Sequence, residues 1–557
     1  MAQDLSSDEE IEYISSEDEE WIEEEFHDDE NIQPNFNEQR NYGSYDDLDQ
    51  IPHAIPAFRP ERPPGAHFPD SVTRQNRRNY LTPLSIFKLF FTEALVEMLC
   101  KFTNENAAAT GPSKPSMYKN WKDIDVEEFY VFMGLLMYMG LVQVPNFKLY
   151  WNGKSLFNGL WARAFMTRFR FQQILCFLKV SNRDTEVATD KLAKVRFLFE
   201  FIRRKCMKLY QPSQNISIDE RMVRNKGRYA FRQYIRDKPT KWGMKLWVLA
   251  DSLSGYTYDF DVYLGKIEGN SSTFGLAYDV VMKLVSSLVN QGYRLFFDNF
   301  YTSFVLVIDL FKKGIVACGT IISNRKGFPT ELKNVKQWEK VSKRGDMRWV
   351  RQDQVLAMQW RDNKTVSLVS TMHSANEFNY VNRRTKNNGV FEQLKVKQPQ
   401  LVGDYNSFMG GVDKSDQLLN KYNMLRKTNK YWKTLFFHFI DIARVNSYIL
   451  FQDWRKQNPD IEELNRSPYY SQLDFTIELI RELANIDDYD PVPTIEHMRL
   501  KTCHSILPAM VASKDRKNCK LCYSHHKIER KTRSMCSACG TFLCFSPERN
   551  CLLLYHK

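Results

Sequence analysis

The stretch Tyr293–Ile322, YRLFFDNFYTSFVLVIDLFKKGIVACGTII, decides how this chain folds. YRLFF is a short apolar run that reaches Asp298, which reads as a buried strand with a carboxylate at its C-terminal end. TSFVLVIDLFKKG repeats apolar residues at helical spacing and closes on Gly314, where a helix can stop. VACGTII is then a second strand. Strand, helix and strand in so little chain predict a mixed α/β sheet. Functional sites in such sheets gather at the carboxyl ends of strands.

Two other segments extend this pattern. Upstream, NISIDERM (Asn215–Met222) is a short β-rich run ending in Asp219 and Glu220, KLWVLADSLSGYTYDFDVYLG (Lys245–Gly265) reads as a hairpin turning at Ser252–Gly255, and Thr273–Gly292 as an amphipathic helix. Downstream, FMGGVDKSDQLLN (Phe408–Asn420) passes from a Gly-Gly pair into a helix, with Asp413 and Asp416 on one face. A helix cap accounts for these two aspartates as well as a metal site does. Asp219, Asp298 and Asp413 stand where three distant segments can converge, and the nearby Glu220, Asp251 and Asp404 are left out of this set. Such carboxylates suit two Mg²⁺ or Mn²⁺ ions, which clamp the attacking and leaving oxygens of a phosphodiester.

Charge points to the same substrate. The net charge is +11, yet residues 1–50 hold 19 of the 67 acidic residues and one of the 78 basic ones, leaving 77 basic and 48 acidic residues for the rest. A body this basic implies a polyanionic partner, most often nucleic acid such as double-stranded DNA, rather than a small-molecule substrate. Arg228, Arg232, Lys238, Lys241 and Lys245 are interleaved with Tyr229, Phe231, Tyr234 and Trp242, a mixture that grips phosphate and stacks on bases. A solvated hairpin face has the same composition. No run of 18 apolar residues occurs, so no membrane is expected.

The chain divides by composition. Residues 1–80 read as a disordered acidic tail, 81–214 as a helical dimerisation or DNA-binding domain, and 215–323 as the first part of the core. Residues 324–400 form an all-β insertion, 401–456 the second part of the core, and 457–502 a helical piece completing the N-terminal helical domain. Residues 503–557 are cysteine-rich. There Cys519-x2-Cys522 and Cys536-x2-Cys539 precede Cys544, Cys551 and His556, and His504 supplies an eighth ligand, with His525 its alternative. Pairs spaced by two aim both sulfurs at one tetrahedral ion, and eight ligands hold two Zn²⁺ ions in a cross-brace finger. Lys520, Lys531 and Arg533 around it favour DNA.

In order, spacing and wording, NISIDERM, KGRYAFRQYIRDKPTKWGMKLWVLADSLSGY, FFDNFYTS, MGGVDKSDQ and RKTNKYWKTLFFHFIDIARVNSYILF resemble the piggyBac-type transposases, over about residues 80–557. The resemblance implies an RNase H-like core whose catalytic, metal-holding aspartates are Asp219, Asp298 and Asp413, with Asp416 as a fourth. It implies a nuclear cut-and-paste enzyme, at least dimeric, that cuts terminal inverted repeats through hairpin intermediates and inserts at TTAA targets. It also implies DNA contacts from Lys427, Tyr431 and Trp432, although the family commonly has a Trp-Trp pair where this chain has Tyr431-Trp432. The competing expectation is a domesticated descendant that binds DNA or chromatin without cutting.

Overall fold

The computed structural model of the chain describes residues 41–69, 81–153, 157, 159–236, 238–265, 273–387, 390–424, 428–486, 510–537, 539–546 and 549–556. Its main sheet contains β1 (Asn41–Gly43), β2 (Asn215–Arg224), β3 (Trp242–Asp251), β4 (Thr257–Val262), β5 (Arg294–Phe297), β6 (Val316–Thr320), β7 (Met347–Gln352), β8 (Val355–Arg361) and β9 (Thr365–Ser370). These run in the order β1-β7-β8-β9-β6-β5-β2-β3, with β4 and a short Gln233–Tyr234 strand both on the outer side of β3.

The nucleus of the sheet is the expected RNase H-like arrangement. β3 runs antiparallel to both of its neighbours, β4 and β2, whereas β2, β5 and β6 are parallel. Parallel neighbours require crossovers, which the Leu276–Leu284 and Phe304–Lys312 helices supply. Asp251 holds the β3–β4 turn, accepting from the backbone N–H of Ser213, Leu253 and Ser254 at 2.6, 2.9 and 2.7 Å. That is a turn role, consistent with leaving it outside the candidate site.

A helical layer covers one side. It includes α1 (Pro83–Phe90), α2 (Val126–Leu141), α3 (Arg196–Leu209), α4 (Gly411–Lys421), α5 (Tyr431–Gln457) and α6 (Gln472–Ala484). α1 starts on a Thr82 cap with proline at its first position, and α6 starts on a Ser471–Asp474 capping box. α6 packs on α1 and α2, joining the late helical piece to the early one. α3 is tied to β4 by Arg203, which grips Asp259 with two bonds of 2.5 and 2.8 Å. No helix among the described residues is long and apolar enough to cross a membrane.

Two expectations change. The segment 324–400 is not all-β, because Val335–Val341 is helical, and it does not stand apart. β9 pairs antiparallel with β6, Ser370 facing Cys318, so β7, β8 and β9 extend the core sheet. They cover the edge that β6 would otherwise expose. Only Phe378–Asn387 and Val390–Pro399 form a separate two-stranded ribbon.

The tail also differs. Residues 1–40 and 70–80 lie outside the described residues, but 41–69 are bound to the body rather than disordered. β1 pairs with β7, and Gly65–Ala66 pairs with Tyr210–Gln211. Asp49 is buried and bonded by Arg351 through Nε at 2.5 Å and Nη2 at 2.7 Å, and it accepts the Ala375 N–H at 2.7 Å. Composition alone cannot show a partner three hundred residues away. Arg351→Ala leaves that carboxylate buried without its countercharge, a loss of about 3–5 kcal/mol. The expected result is a lower melting temperature and new proteolytic cleavage between residues 41 and 69, read by calorimetry and mass mapping.

Candidate active site

The parallel pairing of β2 with β5 sets Ile218 opposite Phe297, so the next residues, Asp219 and Asp298, emerge side by side. Ligand oxygens of Asp219, Glu220 and Asp298 all lie within 4.8 Å of one another, and each residue is half-buried. Asp298 is oriented by the Phe300 N–H, which donates to its Oδ1 at 3.0 Å. Burial, then bonding to Glu220 and its charge, push Asp219 up to about 8. Burial and the Glu220 charge also raise Asp298. Glu220 is lowered: burial opposes ionisation, but the charge of Lys245, a bond from Asp219 and the charge of Lys238 outweigh it. Clustered, desolvated carboxylates that retain a proton are the donor set a hard divalent cation satisfies. These residues fit such an ion.

Sequence reasoning set Glu220 aside, and it belongs to the cluster. The available signal was Lys245 on the neighbouring strand: its Nζ is 3.2 Å from Glu220 Oε1, and that of Lys238 is 3.9 Å from Oε2.

Asp413 and Asp416 are not in that cluster. α4 packs along β2, and its first turn is set by Gly411, where a Cβ would come within 2.5 Å of Ser217 Oγ and 2.9 Å of Ser252 Cα. Further along, Arg221 Nε donates to Asp416 Oδ1 at 2.5 Å, and Arg221 Nη2 to Ser415 Oγ at 2.8 Å. Ser217 and Arg221 stand two residues before and two after Asp219, so the turn bearing Asp413 runs beside Asp219's stretch of strand. Asp413 itself is exposed. Asp416, expected to ligate metal, instead binds Arg221, which is 2% exposed and needs a countercharge.

The DNA-facing candidates separate. Arg228, Lys241, Lys520, Lys531 and Arg533 are exposed. Arg232 lies over Trp242, 4.3 Å from the ring centroid. Tyr431 packs against Tyr229 and Phe231, and Trp432 is buried at 8% exposure, so neither ring stands free for a base. Both follow the inward face of α5. Lys427 lies outside the described residues.

At the C-terminus, Cys519, Cys522, Cys544 and Cys551 converge. Cys522 Sγ is 3.9 Å from that of Cys544 and 3.8 Å from that of Cys551. An ion bonded to four sulfurs tetrahedrally at about 2.3 Å holds them about 3.8 Å apart, whereas a disulfide needs about 2.05 Å. The group fits zinc. Cys536 and Cys539 fall between these pairs in sequence, which is the interleaving of a cross-brace. Of the histidines expected to join Cys536 and Cys539, His504 lies outside the described residues, as do the side chains of His525 and His556.

Residues 82–448 match the family described as Transposase IS4. The chain is similar to PiggyBac transposable element-derived protein 3 of Homo sapiens, 27% identical over 389 residues, covering 69% of this chain and 64% of that protein. PiggyBac transposable element-derived protein 2 of Homo sapiens is 27% identical over 382 residues, covering 66% and 61%. The chain thus spans less than two thirds of these relatives. In fold it is similar to a piggyBac transposase solved by cryo-EM as a synaptic complex with hairpin DNA, with TM-score 0.63 and 24% identity over 84% of this chain and 96% of that one.

Because Asp219 titrates near 8, a divalent ion entering below that pH must expel a proton. Mn²⁺ affinity measured by calorimetry should rise about tenfold from pH 6 to 7, flatten above 8, and lose this dependence in Asp219→Asn. Without metal the sign reverses for stability. The native state keeps a proton that the unfolded chain releases near pH 4, so folding weakens as pH rises from about 4 to 8. Asp219→Asn should therefore melt higher than the parent at pH 7 in chelator. Elemental analysis of the purified chain should find two zinc ions, and one fewer in Cys551→Ser.

Proposed function

From membership of the piggyBac-type transposase family, to which this chain belongs, we propose that the protein is a cut-and-paste DNA transposase. The observation that carries this reading is the convergence of Asp219 and Glu220, midway along β2, with Asp298, just past the end of β5, beside a basic surface.

In this reading Asp219 and Asp298 hold Mg²⁺ or Mn²⁺, with Asp413 joining them from α4. Bound there, the cations supply an activated water and neutralise charge developing on the phosphodiester. The remaining work is the chain's own. Arg221 holds α4 against β2 through Asp416 and so keeps the turn bearing Asp413 along Asp219's strand. The exposed Arg228 and Lys241 track the phosphate backbone. Lys520, Lys531 and Arg533 on the cysteine finger engage the terminal repeat. One strand is nicked, the freed 3′-OH attacks the opposite strand to leave a hairpin, and the reopened 3′ ends join a TTAA target. Two ends require at least a dimer, for which the helices of residues 81–214 and 457–502 are the candidate surface. The substrate places the protein in the nucleus.

A second reading is a derived protein that binds DNA without cutting it. It is favoured by the engagement of Asp416 with Arg221 and by Asp413 lying outside the carboxylate cluster. Incubation with Mg²⁺ and DNA carrying the element's own terminal repeats separates the two. The transposase reading expects hairpin-ended products that fall to background in Asp298→Ala. Equal binding and no cleavage in either protein would leave only the DNA-binding reading.

A further inference from the structure

Two lysines meet Glu220, and their surroundings differ. The Lys238 side chain is 36% exposed, so it can turn to water if its partner is lost. That of Lys245 is 11% exposed. It stands on β3 opposite Met222, with its ammonium 4.6 Å from the centre of the Phe300 ring and 5.9 Å from that of Trp247. Aromatic faces attract a cation but do not replace an anion, so a buried ammonium of this kind depends on Glu220. The floor beneath is closed by Tyr301, buried at 1% exposure, whose hydroxyl is held neutral by burial and by the charges of Glu220, Asp219 and Asp298.

Glu220 cannot serve Lys245 and a divalent cation equally. The cation carries twice the charge and takes carboxylate oxygens at about 2.0–2.6 Å, well inside the 3.2 Å of the lysine contact. Resting on the transposase reading, we propose that Lys245 is a phosphate-binding residue kept in reserve. It is paired with Glu220 while the carboxylate cluster lacks a cation, and it passes to a DNA phosphate when Glu220 turns to one. An anion must then take Glu220's place, and the group brought to this cluster is a phosphodiester. The pair thereby couples cation occupancy to DNA binding. Lys245 would contact the backbone only at a loaded site.

Binding of a fluorescein-labelled duplex DNA to the full chain, followed by anisotropy in Ca²⁺ and in chelator, tests this without any need for cleavage. In the parent protein Ca²⁺ should tighten binding about tenfold, the worth of one charge-assisted hydrogen bond. It should also steepen the dependence of log affinity on log salt by about 0.9, one phosphate contact. Lys245→Gln should lose both increments and match the parent in chelator. Glu220→Gln should bind as tightly in chelator as the parent does in Ca²⁺, a gain that misfolding cannot produce. Survival of the Ca²⁺ increment in Lys245→Gln, or parental affinity of Glu220→Gln in chelator, would overturn the proposal. Absence of nicking with Mg²⁺ would count against the transposase reading alone, since the binding comparison stands without it.

Discussion

The register between β2 and β5 is the constraint on which the candidate site rests. Ile218 faces Phe297 in a parallel pair, and that alignment brings Asp219 to Asp298 across almost eighty residues of chain. A slip of one residue would turn every side chain of the strand to the opposite face and separate the two carboxylates. The buried faces make the slip costly: Ile216, Ile218, Leu295 and Phe297 are all fully buried. Packing of apolar side chains therefore sets the distance between polar ones.

The same strand also carries ionic anchors. Arg221 reaches α4, and Glu220 reaches β3 through Lys245. Arg351 with Asp49, Arg203 with Asp259 and Arg444 with Asp441 repeat the device elsewhere. Buried pairs of this kind add little net stability, because desolvation offsets the attraction. Their effect is on placement, since an arrangement that separates the partners strands a charge. Most join segments far apart in sequence, and Arg444 and Asp441, one turn apart on α5, grip the chain at Tyr422 and Met424, so the elements around the carboxylate cluster have few alternative positions. This accounts for α4 lying along Asp219's strand with Gly411 pressed on Ser217, where a larger residue does not fit.

The cysteine finger follows another logic. Among the described residues its core is five buried residues, four of them cysteines, too few apolar groups to fold a segment of that size. Four sulfurs spaced to bond a metal stand where a hydrophobic core would otherwise be. The central sheet holds its carboxylates by packing, whereas the finger is built around its cysteines.

Much of this was legible in the residues. The strand–helix–strand pattern around Asp298, the β-run holding Asp219 and the paired cysteines each announce themselves within twenty or thirty residues, because strand periodicity and ligand spacing are local. By itself the sequence determined the α/β class, Asp298 at a strand end and the cysteine set, whereas Asp219, expected to close its strand, lies midway along β2. It did not reveal Glu220 as a member of the cluster, Asp416 as the partner of Arg221, the docking of Asp49 on Arg351, or the extension of the core sheet by β7–β9. Those depend on which distant segments become neighbours. A carboxylate's role as metal ligand, anchor or turn former is set by the charge that folding brings beside it, and that charge comes from another part of the chain.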